Sequence, residues 1–356
     1  MITGFGIRGS GFGKRKTMEK RVYLLILMVS LLLRGPVLRA AFTSKSAGTS
    51  GAAFLKVGAG ARPTGMGGAY TAVSDDVNAI YWNTAGLSTI KSKYEFVAMR
   101  ADVFQSIQYN FFAFAYPMRE HGTIAVGLIN LNITGIEQRA ADSDSPDSTF
   151  SSNDSAYTLA YSKKLTFAGL PSYDEEGGLH VGLSGKVIRQ TLSAEAANTF
   201  AADLGALYKF RERPMSVGFA LQNLGASQKY KNESDPLPLT IKLGTSYRLG
   251  QDWAMSGVRS GEERRTGLLL ALDLHAPRDN DPSIRLGTEF THGWSENMAV
   301  SARAGYETGR TRQIEGTGSG VSAGAGVSYK FFTFDFAWVP YGNLGNTFRY
   351  SIKLKF

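Results

Sequence analysis

The chain has 356 residues, no cysteine and a formal net charge of +9. The missing cysteines exclude a structural disulfide, a thiolate metal site and an acylated lipoprotein cysteine. The charge is not that of a nucleic-acid binder, because residues 1–41 hold eight Lys or Arg against Glu19, so seven of the nine net charges sit there. Glycine, at 41 residues, is well above the usual share of about 7%, which argues against a helical bundle.

Residues 1–41 read as an export signal. A basic stretch from Lys14 to Arg21 precedes the apolar run "VYLLILMVSLLL", and "RGPVLRA" ends at Ala40, a small residue suited to cleavage. An uncleaved anchor is the weaker reading, because a spanning helix needs roughly 20 apolar residues and this run is shorter. The signal is already complete from Met18 onward, so Met1 and Met18 both serve as candidate starts.

Residues 42–92 show no sustained alternation. Ser74, Asp75 and Asp76 precede "VNAIYWN" and suit the cap of a short helix, a better use for two neighbouring carboxylates than a calcium site. "GAGARPTG" lacks the P-loop lysine and the dinucleotide-binding spacing, so its glycines serve turns and close packing. The segment is expected to be a small irregular element ahead of the first strand, and a plug if the strands close around it.

Residues 93–356 become a succession of alternating segments of about ten residues separated by polar turns, the signature of strands in a membrane barrel. "LPLTIKLGTSYRL" puts Leu237, Leu239, Ile241, Leu243, Tyr247 and Leu249 on one face, and "SIRLGTEF" sets Ile284, Leu286 and Phe290 against Arg285 and Glu289. "FFTFDFAWVPY" sets Phe332, Phe334, Phe336 and Trp338 against Asp335. Strand starts fall near 93, 105, 123, 154, 178, 198, 214, 237, 265, 283, 297, 319, 331 and 346, about fourteen in all. Residues 118–122, 211–214 and 293–296 read as short periplasmic turns, with longer external loops at 139–154 and 225–236. The stretches 168–178 and 250–265 are longer than that polarity expects.

The expected fold class is therefore an all-β transmembrane antiparallel barrel of about 14 strands with a small N-terminal plug. The same alternation turns Lys186, Asp203, Lys209, Asp273, Arg285, Glu289, Arg303, Asp335 and Lys353 toward the lumen. Their mixed signs suit a network that holds a plug better than an ion-selective path, which would favour one sign. In "TIAVGLINLNITG" the apolar set Ile124, Val126, Leu128 changes phase to Ile129, Leu131, Ile133. Either one extra residue bulges the strand, or the strand is apolar on both faces against the plug. The chain ends with Phe348, Tyr350, Ile352, Leu354 and Phe356 on one face, and Phe356 is the candidate signal read by the barrel-assembly machinery.

Catalytic and metal chemistry find little support. "GVSAG" fits a nucleophile motif, but Ser322 lies in continuous alternation where a strand-to-helix elbow is required. His121, His180, His275 and His292 have no metal-binding spacing. No enzyme activity, metal or cofactor is expected.

The stretch "GAAFLKVGAGARPTGMGGAYTAVSDDVNAIYWNTAGL" resembles the PorV/PorQ family of outer-membrane barrels, relatives of the FadL fatty-acid transporters. Gly65, Met66, Gly67, Tyr70, Asp75, Asp76, Tyr81, Trp82 and Asn83 carry the resemblance in the plug, and "RLGTEF", "ARAGYE" and the closing segment extend it over most of the mature chain. It departs at Thr84, where the family has proline, and loss of that constraint is expected to loosen the turn. The resemblance implies fourteen strands, a plug and an outer-membrane location. It also implies a kinked third strand opening the wall sideways, here at Gly127, Leu128, Ile129 and Asn130. Two functions follow as expectations: passage of hydrophobic molecules, or an accessory role in type IX-like secretion or surface attachment. The expected partners are outer-membrane lipid, the assembly machinery, and a hydrophobic ligand or secreted protein client, with no nucleic acid.

Overall fold

Alternating segments with one apolar face close on themselves, so every strand finds two neighbours and no edge is left unpaired. The computed structural model describes residues 48–103, 107–140, 142, 144–167, 177–211, 213–230, 233–249, 266–314 and 318–356. The export signal assigned to 1–41 lies outside these residues. The strands are β1 (Glu95–Asp102), β2 (Ile107–Pro117), β3 (Thr123–Gln138), β4 (Ser148–Leu165), β5 (Gly178–Leu192), β6 (Glu195–Lys209) and β7 (Met215–Gly225). A small hairpin, β8 (Gln228–Tyr230) and β9 (Glu233–Asp235), stands apart. The wall continues with β10 (Thr240–Leu249), β11 (Gly267–Pro277), β12 (Ser283–Ser295), β13 (Met298–Glu307), β14 (Val321–Tyr329), β15 (Phe332–Pro340) and β16 (Asn346–Lys355).

Fourteen of these strands form a closed antiparallel barrel in chain order, with β16 pairing β1 through Phe96↔Leu354, Ala98↔Ile352 and Arg100↔Tyr350. The closure is clasped at the terminus, where the Lys93 and Tyr94 amides donate to the Phe356 carbonyl and the Phe356 amide donates to Tyr94.

The outward face is apolar around the wall. Phe112, Phe114, Val126, Leu159, Leu183, Phe200, Leu270, Leu272, Leu286, Phe290, Phe334 and Ile352 are all exposed, an arrangement suited to lipid and costly in water. The inward neighbours Lys186, Asp203, Asp273, Arg285, Glu289, Arg303, Asp335 and Lys353 are buried. A barrel of this kind resists detergent until heated, so the unheated protein should migrate faster on a gel than the boiled one. Identical positions would contradict a stable closed wall.

Two sequence expectations change, and one open alternative is decided. The third and fourth strands are longer than their apolar stretches: β4 starts at Ser148, inside the segment read as an external loop, and polar residues continue the ladder there. Leu237 lies ahead of β10 and is buried, so it does not share the outward face of Tyr247 and Leu249. No bulge occurs at Gly127–Asn130, since β3 pairs β2 and β4 without a break through these residues and the register shifts only between Ile133 and Ile136. The phase change arises because β3 is apolar on both faces. Val126 points out and Ile129 points into the buried interior.

Candidate functional site

The described N-terminal segment, from Gly48 to Ser92, fills the barrel interior. It holds only short helical pieces (Ala53–Lys56, Ala61–Gly65, Ala79–Trp82 and Thr84–Thr89), and nearly all of it from Gly58 to Leu87 is buried. Its backbone lies so close to the wall that side chains are excluded on both sides. A Cβ on Gly305 of β13 would come within 2.0 Å of the Gly67 amide nitrogen, and one on Gly67 within 2.7 Å of the Tyr306 nitrogen. Gly67 also has φ +66°, which L side chains rarely adopt. The glycine excess of the sequence thus marks where wall and interior segment touch. Gly65 and Gly324 also approach closely, though less so, a Cβ on Gly65 standing 3.1 Å from the Gly324 Cα.

Arg62 is the centre of the electrostatic network. Its guanidinium clasps Glu289 of β12 with two bonds, Nε to Oε2 and Nη2 to Oε1, both 2.8 Å, while Nη1 reaches Asp75 at 2.6 Å, Asp76 at 3.0 Å and the Tyr70 hydroxyl at 2.7 Å. Glu289 also accepts from Arg303 (2.6 Å), which continues to Asp335 (2.8 Å). Lys353 of β16 donates to Asp76 at 2.6 Å. One buried chain of charges therefore ties the interior segment to β12, β13, β15 and β16. Such groups are tolerated away from water only because each is paired and hydrogen-bonded.

Asp75 and Asp76 are ion-pair partners first. Asp76 does accept from the Asn78 amide (3.0 Å), but the helix Ala79–Trp82 has no side-chain cap. Burial alone would raise both carboxyls, yet Arg62 with Arg248 for Asp75, and Lys353 with Arg62 for Asp76, outweigh it and hold both well below the usual carboxylate range. A carboxyl depressed in the folded state contributes stability that is complete above its unfolded pKa, about 3.9, and is lost as pH falls toward the folded value. Protection of the N-terminal segment from added protease should therefore be constant from pH 8 to 5 and weaken only below about pH 4. A loss centred near pH 6 would contradict this pairing.

The remaining sequence candidates take distinct places. Asp273 of β11 accepts the Tyr70 and Thr71 amides at 2.9 and 2.8 Å, a further tether to the segment. Asp203 instead pairs with Lys186 (2.7 Å) and accepts the Asn223 amide (2.8 Å), bracing the register shift between β6 and β7. Met66 and Tyr70 pack with Trp82 against Leu269 and Ala271. Asn83 holds the turn: its side-chain oxygen accepts from Ala85, and its nitrogen donates to Thr71 (2.8 Å) and Ala206 (3.1 Å). The turn at Thr84 is thus pinned without proline. Gly127 abuts Ile80, Asn130 bonds Ser155 at 3.0 Å, and Leu128 and Ile129 continue the ladder between them. Ser322 lies within β14 and donates to the Gly65 carbonyl at 3.4 Å.

Over the segment lies a chamber of about 170 Å³ that motif and alternation did not reveal. It lies toward the end of the barrel opposite Phe356, since Arg310, Gln313 and Ile314 from the β13–β14 connection and Tyr341 from the β15–β16 connection line it. Its floor is Tyr81 and Trp82. Tyr81 donates to the Leu55 carbonyl (2.7 Å) and Trp82 to Ala59 (2.8 Å), and burial pushes the Tyr81 hydroxyl up to about 12. Lys242 of β10 lies over both rings, 4.8 Å from the Trp82 centroid and 5.6 Å from that of Tyr81. Arg285, Arg310 and Arg349 complete the wall. These residues were hard to find because they come from separate strands and connections.

No protein-family model and no curated protein sequence matches the chain. Solved structures do share its fold. The Pseudomonas putida toluene transporter TodX superposes with a TM-score of 0.52 at 12% identity, over 83% of this chain and 96% of that one. The monoaromatic hydrocarbon channel CymD gives 0.53 at 11% identity, over 84% and 98%. The chain therefore has the fold of the hydrocarbon-channel barrels, with nearly the whole length of those proteins represented.

Proposed function

We propose that the protein is an outer-membrane channel of the FadL-like type that takes hydrophobic molecules from outside and passes them along its plugged lumen. The observation carrying this reading is the apolar seam between the N-terminal segment and one side of the wall. Phe54, Leu55, Ile80 and Leu87 from the segment pack there with Met99, Phe111, Ile129 and Ile188 from β1, β2, β3 and β5. An apolar solute meets compatible surface along this seam, and the charged network stands on the other side of the segment. The seam ends beside Gly127–Asn130, where Ile80 touches Gly127, and a sideways exit into lipid requires β3 to part there from a neighbour. The fold shared with channels named for toluene and monoaromatic hydrocarbons supports the same solute class.

The test is uptake of radiolabelled toluene by cells with and without the protein, together with Gly127→Phe. Uptake that depends on the protein and falls in the variant supports the reading. Equal uptake with and without the protein overturns it.

A second reading, an accessory barrel of the PorV type for protein secretion or surface attachment, is favoured by the height of one side. The strands β3, β4, β5 and β6 run 15 to 18 residues, beyond the 9–11 or so that a bilayer needs. Their polar ends, including Glu137, Gln138 and Ser148, are exposed and offer a surface for a protein client. Recovery of a secreted protein on the intact cells only when this barrel is present distinguishes the two.

A further inference from the structure

The chamber over Tyr81 and Trp82 carries more positive charge than its surroundings neutralise. Five cationic side chains line it, Lys56, Lys242, Arg285, Arg310 and Arg349, with Glu307 the one acidic residue among the lining groups. Lys56 is paired with Asp279. Glu307 is shared by Arg285 (2.7 Å) and Arg310 (3.2 Å), so one carboxylate serves two guanidiniums. Arg349 donates to the carbonyls of Val57 and Gly58 and to Tyr341, none of them an anion. Lys242 has only the two aromatic faces beneath it, with no ion pair or hydrogen bond among the described residues.

The second observation is that the donors are unfinished. Arg285 Nε, Arg310 Nη1 and Arg349 Nε are buried without a partner among the described residues, and the three residues are 8%, 9% and 1% exposed. Buried guanidinium N–H groups are costly when unsatisfied. Among nearby carboxylates, Asp203 is held by Lys186 and Asn223, while Asp273 accepts two backbone amides through Oδ2 and keeps Oδ1 without a hydrogen-bond partner among the described residues, so it offsets one cation of the lining at most. Apolar cargo has no use for this lining.

We infer that the chamber is a binding site for a dianionic tetrahedral oxyanion, a phosphate-class group that Lys242, Arg285, Arg310 and Arg349 complete from different parts of the wall. Pairing Lys56 with Asp279, one guanidinium with Glu307 and one further cation with Asp273 leaves two positive charges among Lys242, Arg349 and the other guanidinium, which a dianion balances more fully than a carboxylate. Arginine forks and a point-charge lysine are the usual chemistry for such a group. The space is adequate, since about 170 Å³ corresponds to roughly six water-sized groups at about 30 Å³ each. The inference rests on reading the loop end as open to solutes, and on no step of hydrocarbon passage.

The test is calorimetric titration of the folded, detergent-purified barrel at fixed ionic strength with inorganic phosphate, octyl phosphate and chloride. The same titrations use Lys242→Met, which keeps a chain over the rings without its charge, and Arg310→Gln at the loop end. Heat-dependent gel mobility checks that each variant is folded. Binding of inorganic phosphate assigns a free oxyanion, and binding of octyl phosphate alone assigns the headgroup of an amphiphile. In either case both variants should bind at least tenfold more weakly. Failure of both phosphates to bind, equal affinity for chloride, or unchanged affinity in both folded variants would overturn the site. A barrel that binds phosphate yet takes up no toluene keeps this inference and loses the channel reading.

Discussion

Replacing Arg62 with alanine should release the N-terminal segment from the wall while the fourteen strands remain closed. The change leaves four carboxylates, Glu289, Asp75, Asp76 and Asp335, with only Arg303, Arg248 and Lys353 to balance them. Removing one member of a buried charge cluster costs about 3–5 kcal/mol, because the partners stay behind uncompensated. The wall does not depend on this residue, since its strands are joined by their own ladders. The expected result is an unchanged heat-dependent gel shift together with an N-terminal segment that protease now cleaves. Arg62→Lys should fall between the two, as lysine keeps the charge but cannot fork onto both oxygens of Glu289. Full protease protection in Arg62→Ala would show that the glycine contacts with the wall hold the segment by themselves.

Deletion of Phe356 should lower the amount of assembled protein in cells severely, with much less effect on refolding of purified protein in detergent. The residue is 54% exposed; its ring stacks on Phe331, with centroids 5.6 Å apart, and meets Tyr94 at a tilt, with centroids 5.5 Å apart. Losing one half-buried aromatic accounts for about 1–3 kcal/mol. The backbone clasp to Lys93 and Tyr94 adds to that figure, so detergent refolding should slow but survive. A signal read by the assembly machinery acts before the barrel has closed. Equal losses in cells and in detergent would assign Phe356 to packing alone, and normal cellular levels would remove the signal role.

The wall was legible in the sequence because each strand meets two different solvents. Leu270 and Leu272 face outward beside inward Asp273, and that contrast repeats every second residue. Strand starts were misplaced where the contrast fades, as at Ser148, where β4 is polar on both faces above the apolar belt. β3 misled for the opposite reason, since Ile129 meets the interior segment instead of water. The segment itself has no period to read, because it is surrounded by wall and its contacts come from every direction. Gly67 and Gly305 could be seen as glycines, but nothing local says that they touch. Charges behaved likewise. Glu289, Arg303, Asp335 and Lys353 were placed inside by alternation, whereas Arg62, which clasps Glu289, stands in a glycine-rich stretch more than 200 residues away in sequence from it. The chamber cations were hidden for the same reason. Lys242 looked like one more polar residue of an alternating strand, and only closure of the barrel carries it over Trp82.

The central claim is that the N-terminal segment occupies the lumen and closes it. Conductance of the purified barrel in planar bilayers, with and without residues 43–92, tests it most directly. The complete barrel should show little steady current, and the deletion should open a stable, much larger conductance through a lumen lined by Glu289, Arg303, Asp335 and Lys353. Equal conductance in the two proteins would contradict the claim.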